Sequence, residues 1–549
     1  AAMYAHASAG CLHVRPFINT KDVADVQKMS EIAAASMELV KGFGGALASE
    51  HGDGLARSGF AESFYGPELY ALYRRTKAAF DPNGIMNPGK IVDAPPMTEN
   101  LRLGPDYTIT ALPIADGSGI ASNLDFSDDQ GFDRSVELCT GIGTCRKLDA
   151  GTMCPSFMVT RDEKHSTRGR ANALRAAMQG KLGPDGFTGP EMYDVMSLCL
   201  SCKACKTECP SGVDMARLKL EWQDQYWRKH KMPLRERLFA HMPEMARRYS
   251  GPFAPIVNFG MLVGSVGGLA QRVLGIAPQR SLPTFARIPL TKWFSRRTAN
   301  IGGRTAGNGS KPVVLFNDTF STYQEPEVGI AAVELLERLG YSVTLPGHTC
   351  CGRTYLSKGL VDKSRALAED VVAKLFPFAL EGIPIVGLEP SCILSVRDEY
   401  FSLIPNDPRV ELVAEHALTL EEFIVEETEL GHITPDQWSN HGRKALVHGH
   451  CHQKALVGVG PSRKALEIAG FEVEVVDSGC CGMAGSFGYE AENYNWSVKM
   501  AERVLAPAVR RAGGDTLVVA AGTSCRAQIA DIAGKSAVHP AAAMLSSLI

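Results

Sequence analysis

Seven of the chain's 15 cysteines lie between residues 139 and 210, and four of them form the run Cys199-x2-Cys202-x2-Cys205-x3-Cys209-Pro210. This is the ligand spacing of a cubane [4Fe-4S] cluster. Three thiolates two residues apart wrap one face of the cluster, and the fourth, ahead of a chain-reversing proline, turns toward a second cluster. Cys139, Cys145 and Cys154-Pro155 supply the upstream partner. The expected pairing gives Cys154 to Cys199, Cys202 and Cys205, and Cys209 to Cys139 and Cys145. Ile142 stands where a regular second motif has its middle cysteine. That leaves the second site three thiolates, so a three-iron cluster, a borrowed ligand and an absent cluster all stay open. C-x2-C spacing also suits a four-thiolate zinc site, although two zinc knuckles do not need Cys-Pro at the end of both motifs.

A second set of thiols sits on a repeated pattern. Pro312 to Phe316 reads as a buried strand, Val328 to Leu339 as a helix closed by Gly340, and Ser342 to Leu345 as a strand leading to Cys350-Cys351-Gly352. Lys444 to His448, Ser462 to Ala469 and Val473 to Val476 repeat the scheme up to Cys480-Cys481-Gly482, which points to an internal duplication. Each half closes with an isolated cysteine after a strand, Cys392 after Ile385 to Leu388 and Cys525 after Leu517 to Ala520. Adjacent cysteines make poor disulfide partners. Beyond strand ends, where α/β sheets present ligand sites, Cys451, Cys480, Cys481 and Cys525 make a four-thiol site. The first half offers only Cys350, Cys351 and Cys392, because the place of Cys451 reads Asn317-Asp318-Thr319. It is expected to be degenerate.

The front of the chain carries different chemistry. His6 and His13 flank a short apolar stretch, and Glu50-His51-Gly52-Asp53-Gly54 follows in a glycine-rich loop. Two histidines and a carboxylate suit a divalent ion such as Zn²⁺ with positions left open for substrate. Such an ion would lower the pKa of a bound hydroxyl, and His51 could take its proton. Arg15 and Arg57 are candidates for holding a substrate carboxylate, by proximity and by the bidentate fit of guanidinium to carboxylate.

At 549 residues the chain needs several cores. Its net charge is −3 and no basic stripe is interleaved with aromatics, so nucleic-acid binding is set aside. Dense unpaired cysteines favour a reducing compartment and metal ligation, with the cytoplasm as the default. The opening Ala1-Ala2-Met3-Tyr4 has no basic, apolar leader pattern, and chemistry begins at His6; the reading is a chain that has lost its front. The apolar stretch from Ala254 to Ala270, flanked by Arg247, Arg248, Arg272 and Arg280, suits a buried or surface-lying helix better than a membrane span. Peripheral contact with the inner face of the membrane is compatible with it.

Three motifs in order resemble the C-terminal domain of FAD-linked oxidases. They are the His6 to His13 stretch, the loop Ala48 to Gly54, and Lys77-Ala-Ala-Phe-Asp-Pro-Asn-Gly-Ile-Met-Asn-Pro-Gly-Lys-Ile91, which follows that family's closing signature. The departures are Ala9 and Cys11 in the first motif. The resemblance implies His6, His13 and Glu50 as metal ligands, His51 as base or substrate contact, and Asn87 near the flavin. The second half resembles the CCG domains of heterodisulfide reductase and of glycolate oxidase iron–sulfur subunits. Gln528 takes the place of the last thiol of that pattern, which leaves a four-iron cluster on Cys451, Cys480, Cys481 and Cys525. As a whole the chain resembles the fused FAD- and Fe–S-containing dehydrogenases of D-2-hydroxy acids, the D-2-hydroxyglutarate enzymes first, with D-lactate dehydrogenase and glycolate oxidase behind them.

The expected fold is multidomain. It comprises an α+β fragment of an FAD-oxidase C-terminal domain at 1–92, a linker at 93–130 and an α-helical ferredoxin-like Fe–S domain at 131–250. A connecting helical region at 251–310 follows, then two tandem α/β CCG domains at 311–430 and 431–549. The resemblance implies one or two [4Fe-4S] clusters, a further one in the second CCG domain, and FAD bound mainly by an N-terminal part not in this chain. The partners it implies are a small D-2-hydroxy acid, a quinone or other acceptor, and that missing FAD-binding part. An Fe–S electron-transfer subunit of a heterodisulfide-reductase-like or glycerol-3-phosphate dehydrogenase-like complex is the competing reading. The hydroxy acid's side chain and homo-oligomer formation are left open.

Overall fold

The computed structural model describes residues 1–8, 11–48, 51–109, 114–115, 119–120, 122–149, 151–183, 185–265, 269–300, 310–439 and 442–549. The chain divides into two compact units, Ala1–Thr110 and Ala111–Ile549.

The first unit opens with an antiparallel hairpin, β1 (Ala2–His6) on β2 (Cys11–Arg15), which sets Tyr4 opposite His13. A helix follows at Val23–Gly42, capped by the Asp22 carboxylate on the Asp25 N–H. Its apolar spacing predicts a buried stripe through Val26, Met29, Ile32, Met37 and Val40. Only Val26 and Met37 are buried; the helix packs on the five-residue helix Ala61–Tyr65, which is too short to cover the rest. The helix Pro67–Phe80 starts on a proline, which has no N–H to leave unsatisfied. It ends at Asp81, whose buried carboxylate accepts the N–H groups of Ile85 and Met86 at 2.9 Å each and the Lys77 ammonium at 2.6 Å. One carboxylate thus folds the Asp81–Met86 turn, and Asn87 beyond it takes a left-handed conformation, φ 49°, which asparagine tolerates better than most residues.

The second unit begins with short helices, among them Phe132–Glu137, Pro155–Thr160, Thr167–Met178, Pro190–Ser197, Ala204–Glu208 and Met215–Lys229. Glu221, on the last of these, accepts the backbone N–H groups of Asn123 and Leu124 at 2.9 and 2.8 Å. Leu124 and Phe126 are buried, so the end of the stretch read as a linker packs onto this unit. The helix Ala254–Ser265 inserts Ala254 beside Ala246 and Phe285 and leaves Phe253, Ile256 and Phe259 exposed at 70%, 70% and 66%. Arg247, Arg248 and Arg272 are exposed near it. Arg280, grouped with them as a surface flank, is instead buried, bonded to Gly488 O, Ser497 Oγ and Asp531. The glycine-rich joint expected at 302–309 lies outside the described residues.

Two parallel sheets complete the unit. The first has the order β4 (Tyr341–Thr344), β3 (Lys311–Phe316), β5 (Ile385–Gly387), β6 (Ala417–Thr419). The second has β8 (Glu472–Val475), β7 (Lys444–His448), β9 (Leu517–Ala520). A parallel bridge from Val519 to Val538 stands where the first sheet has its fourth strand. The order is the same in both, second strand, first strand, third strand. In β3 the run Val313 to Phe316 is buried throughout, as parallel strands covered on both faces require. The sheets share one core, in which Val313, Leu335 and Val386 pack in one cluster with Val447, Phe471 and Met544.

Candidate metal centres

The middle cysteines line two separate cavities. One is walled by Cys154, Cys199, Cys202 and Cys205 together with Arg170, the other by Cys139, Cys145, Cys209 and Ile142. The local cause of the partition is the short helix Ala204–Glu208, which holds Cys205 in its first turn and is followed at once by Cys209-Pro210. Cys154 immediately precedes the helix Pro155–Thr160. In the second cavity the Arg168 N–H points at Cys145 Sγ, 3.3 Å away, and Gly141 and Gly143 turn with φ 84° and 82°, backbone shapes that favour glycine. Ile142 borders the cavity while largely exposed, and it brings no donor atom.

Burial holds the Cys202 and Cys205 thiols well above the usual thiol range, and neighbouring thiols add to it; for Cys202 these include Cys451 and Cys154. Such thiols stay protonated at neutral pH unless a metal cation takes the place of the proton. The surroundings fit an anionic group. Arg170 is fully buried and directs Nη1 to Cys154 Sγ at 3.5 Å and to His165 O at 2.8 Å, with Nη2 on Ser156 Oγ at 3.0 Å. Among the described residues no carboxylate lies within ion-pair distance of it. A buried cation is costly without a counter-charge, and thiolates on iron would provide one.

The second sheet gathers the other four thiols. Cys451 opens the helix after β7, Cys480 and Cys481 follow β8, and Cys525 lies in the first turn of the helix Thr523–Ala533 after β9. Ligand atoms of His448, Cys481 and Cys525 lie within 4.8 Å of one another. A hydrogen bond from the Cys480 thiol is the main cause that draws Cys451 down to about 6. Gln528 stays off the thiols, its amide donating to Cys481 O at 2.9 Å and Ser497 O at 3.1 Å. In the first sheet Thr319, which opens the helix after β3 just as Cys451 opens its own, donates to Cys350 Sγ at 3.5 Å. Cys350, Cys351 and Cys392 remain there as three buried thiols.

The middle helices and the second sheet meet at these sites. His452 Nε2 lies 3.0 Å from the Ser201 carbonyl, between Cys199 and Cys202. Lys203 is buried on Asp398 at 2.6 Å and Glu399 at 2.5 Å. The sequence reading passed over His448, His450 and His452, although alternate histidines around a ligand cysteine are a recognisable signal. Arg170 and Lys203 carry none, since their partners are distant in sequence.

In the first unit the His13 ring stacks on Tyr4 at 4.5 Å and meets His6 edge-on at 4.8 Å and His51 at 6.4 Å. The hairpin register thus brings His6 and His13 together, and the later loop adds His51. Glu50 lies outside the described residues. Arg15 donates to the Tyr4 hydroxyl at 2.6 Å and Arg57 to Gly52 O at 3.2 Å, so both border the histidines' hairpin and loop. Asn87 is exposed.

Sequence comparison defines the class first: this is a chain of iron–sulfur and FAD-linked-oxidase domains. Residues 1–91 match the FAD linked oxidases, C-terminal domain, residues 135–213 the 4Fe-4S dicluster domain, and residues 317–397 and 448–530 the cysteine-rich CCG domain. Lactate utilization protein A of Exiguobacterium sp. is 30% identical over 222 residues, 39% of this chain and 86% of that protein. The chain belongs to the family of that protein. D-2-hydroxyglutarate dehydrogenase of Escherichia coli (strain K12) is 28% identical over 595 residues, covering 99% of this chain and 55% of that protein. One subunit of the anaerobic glycerol-3-phosphate dehydrogenase of the same organism is 27% identical over 304 residues, 54% of this chain and 74% of that protein. The chain spans about half the length of the D-2-hydroxyglutarate dehydrogenases it matches. Among the described residues no helix is long and apolar enough to cross a membrane.

Proposed function

We propose that the chain is the C-terminal portion of an FAD- and Fe–S-dependent dehydrogenase that oxidises a D-2-hydroxy acid, D-2-hydroxyglutarate first among candidates, to the 2-oxo acid. The observation that carries this reading is the coexistence, in one chain, of an FAD-linked-oxidase segment with two cysteine-lined cavities and a further four-thiol site. The balance is simple: the substrate loses two electrons and two protons, and an acceptor such as a quinone takes them. Flavin supplies hydride acceptance and iron–sulfur clusters supply one-electron transfer.

The chain's own residues take these roles. Cys154, Cys199, Cys202 and Cys205 hold one cluster; Cys139, Cys145 and Cys209 offer three thiolates for a second; Cys451, Cys480, Cys481 and Cys525 hold a third. His6, His13 and Glu50 bind a divalent ion such as Zn²⁺, His51 takes the hydroxyl proton, and Arg15 and Arg57 hold the carboxylate. Asn87 lies near the flavin, which is bound mainly by a part of the protein outside this chain. The apolar residues left exposed on the first unit, Phe17, Phe43 and Phe80 among them, support completion of that fold elsewhere. The location is cytoplasmic, with peripheral contact at the inner face of the membrane supported by the exposed, uncharged face of Ala254–Ser265. Self-association into a homo-oligomer is compatible with this arrangement.

The test is iron and acid-labile sulfide per chain, with EPR before and after D-2-hydroxyglutarate, on anaerobically purified holoenzyme. Eight or more irons, at about four per cubane, with cluster signals reduced by the hydroxy acid, is the expected result. Zinc in place of iron would overturn the redox reading of the middle cysteines. Likeness to the glycerol-3-phosphate dehydrogenase subunit favours a second reading, an Fe–S electron-transfer subunit of a heterodisulfide-reductase-like or glycerol-3-phosphate dehydrogenase-like complex. Clusters that chemical reductants reduce and no 2-hydroxy acid does would select it.

A further inference from the structure

His448 is the last residue of β7, three positions ahead of Cys451, and its side chain is buried. Its Nδ1 lies 2.7 Å from Ser478 Oγ, and the Ser478 hydroxyl has an acceptor of its own in the Val476 carbonyl at 3.4 Å. With the hydroxyl proton on that carbonyl, the serine oxygen accepts from Nδ1–H and Nε2 carries a lone pair. Nε2 is buried and has no oxygen or nitrogen partner; the Cys481 thiol is the polar group beside the ring. A thiol is a weak partner for a buried ring nitrogen. Among the described residues, one ligand atom each of His448, Cys481 and Cys525 lie within 4.8 Å of one another. The imidazole is therefore held as metal-bound histidines are, one nitrogen on a fixed partner and the other directed at the ligand site.

The neighbouring histidines are placed otherwise. His450 accepts the His452 N–H on Nδ1 at 3.2 Å, and His452 sets Nε2 on the Ser201 carbonyl at 3.0 Å. The first half supplies an internal comparison. Three positions ahead of Thr319, which matches Cys451, stands Phe316; two ahead of Cys350, which matches Cys480, stands His348. Phe316 and His348 stack at 4.2 Å where the second half has the His448–Ser478 hydrogen bond. The half that lacks the opening thiol thus also has a phenyl ring at the position of His448.

We propose that His448 is a ligand, through Nε2, of the iron–sulfur centre on Cys451, Cys480, Cys481 and Cys525, which gives that centre mixed nitrogen and sulfur ligation. The inference rests on the reading of these thiols as an iron–sulfur site and deepens it. Gln528 supplies no thiol, its amide N–H groups turned to Cys481 O and Ser497 O, and the imidazole brings a further donor from the strand end instead. A neutral imidazole leaves the centre less negative than another thiolate would, which raises its reduction potential. The backbone N–H groups of Gly482 and Met483, which point at Cys480 Sγ and Cys481 Sγ from 3.4 and 3.5 Å, act in the same direction.

The experiment uses anaerobically purified holoenzyme reduced with dithionite, and reads nitrogen hyperfine couplings by pulsed EPR. The samples are the parent, the parent carrying isotope-labelled histidine, His448→Gln and His448→Cys. A coupling of the size of a bound imidazole is expected in the parent, changed by the isotope and lost in both variants. His448→Cys returns a thiolate, so it should keep the parent's iron content and lower the reduction equilibrium of the centre by about tenfold, equivalent to about 59 mV; this variant carries the test even where His448→Gln fails to fold. A full iron complement without imidazole coupling in the parent, or a coupling that persists in His448→Cys, would overturn the inference and leave the iron–sulfur centre in place. Cys481→Ser separates the two readings: iron content and cluster signals unchanged in that variant would mean no centre at these thiols, and the site reading would fall together with the histidine ligand.

Discussion

Removing the buried positive charge at Arg170 tests whether the Cys154, Cys199, Cys202 and Cys205 cavity holds an anionic redox centre. The guanidinium lies 3.5 Å from Cys154 Sγ, where unit opposite charges attract by about 5 kcal/mol at an effective dielectric of about 20. An added electron spreads over the whole cluster, so roughly half of that energy bears on reduction. About 2.5 kcal/mol corresponds to a midpoint shift on the order of 100 mV for one electron, at about 59 mV per tenfold. Arg170→Gln should therefore make the centre harder to reduce by about 100 mV, whereas Arg170→Lys, which keeps the charge, should move it by less than about half as much. The assay is an EPR-monitored redox titration of the holoenzyme, with iron content measured alongside. Midpoints for Gln and parent that agree within about 20 mV at equal iron content would refute the electrostatic assignment.

Lys203→Met should leave Asp398 to Lys206 and Glu399 to Arg353, so the loss of the buried charge-assisted contacts of Lys203 should lower stability by about 1.5–3 kcal/mol, read by denaturant unfolding of the holoenzyme; a loss under about 1 kcal/mol would mean the contacts are solvated. Ile142→Cys should supply the thiol missing beside Cys139, Cys145 and Cys209, raising iron by about one per chain and converting a three-iron EPR signature to a four-iron one; unchanged iron and spectrum would remove that site from the cluster inventory. Burial raises the Asp318 carboxyl to about 6, above about 3.9 in the unfolded chain. The folded state therefore holds this proton more tightly, so the contribution to stability is full below about pH 4 and is lost as pH rises through about 6. Asp318→Asn, which caps its helix comparably, should abolish that slope and stabilise the protein at about pH 8 by on the order of 2–3 kcal/mol, and an unaltered pH profile of unfolding would contradict it.

Period and punctuation made the regular elements legible. The strands at Lys444–His448 and Leu517–Ala520 and the helix at Val23–Gly42 fall within a residue of their apolar runs, because each run is bounded by glycine, asparagine or a capping aspartate. Grouping of the middle cysteines was legible for a similar reason: Cys205 and Cys209 are separated by a single helical turn, so their thiols face different cavities. Burial on the first helix was not legible, since the stripe through Ile32 and Val40 needs a partner layer longer than the five-residue helix Ala61–Tyr65 it packs on. Arg280 misled because its position after an apolar helix looks like a surface flank, yet its partners Gly488, Ser497 and Asp531 come from more than 200 residues later. Arg170 and Lys203 were invisible on the same ground.

The duplicated halves show how a thiol site can lose a ligand without losing its shape. Each half places one residue at the opening of the helix after its first strand, Thr319 or Cys451, and that residue meets the first cysteine of the Cys-Cys pair, Cys350 or Cys480. Replacing a thiol with a hydroxyl keeps the hydrogen bond and the buried position but forfeits a soft donor for iron. The strand ends still converge on Cys350, Cys351 and Cys392, so the first half keeps its packing role in the shared core while its capacity for a four-thiolate cluster is gone. The second half retains all four thiols, and it is this half whose Cys451 neighbours Cys202. Of the two halves, it is therefore the one with the complete thiol set that faces the middle domain's cysteines.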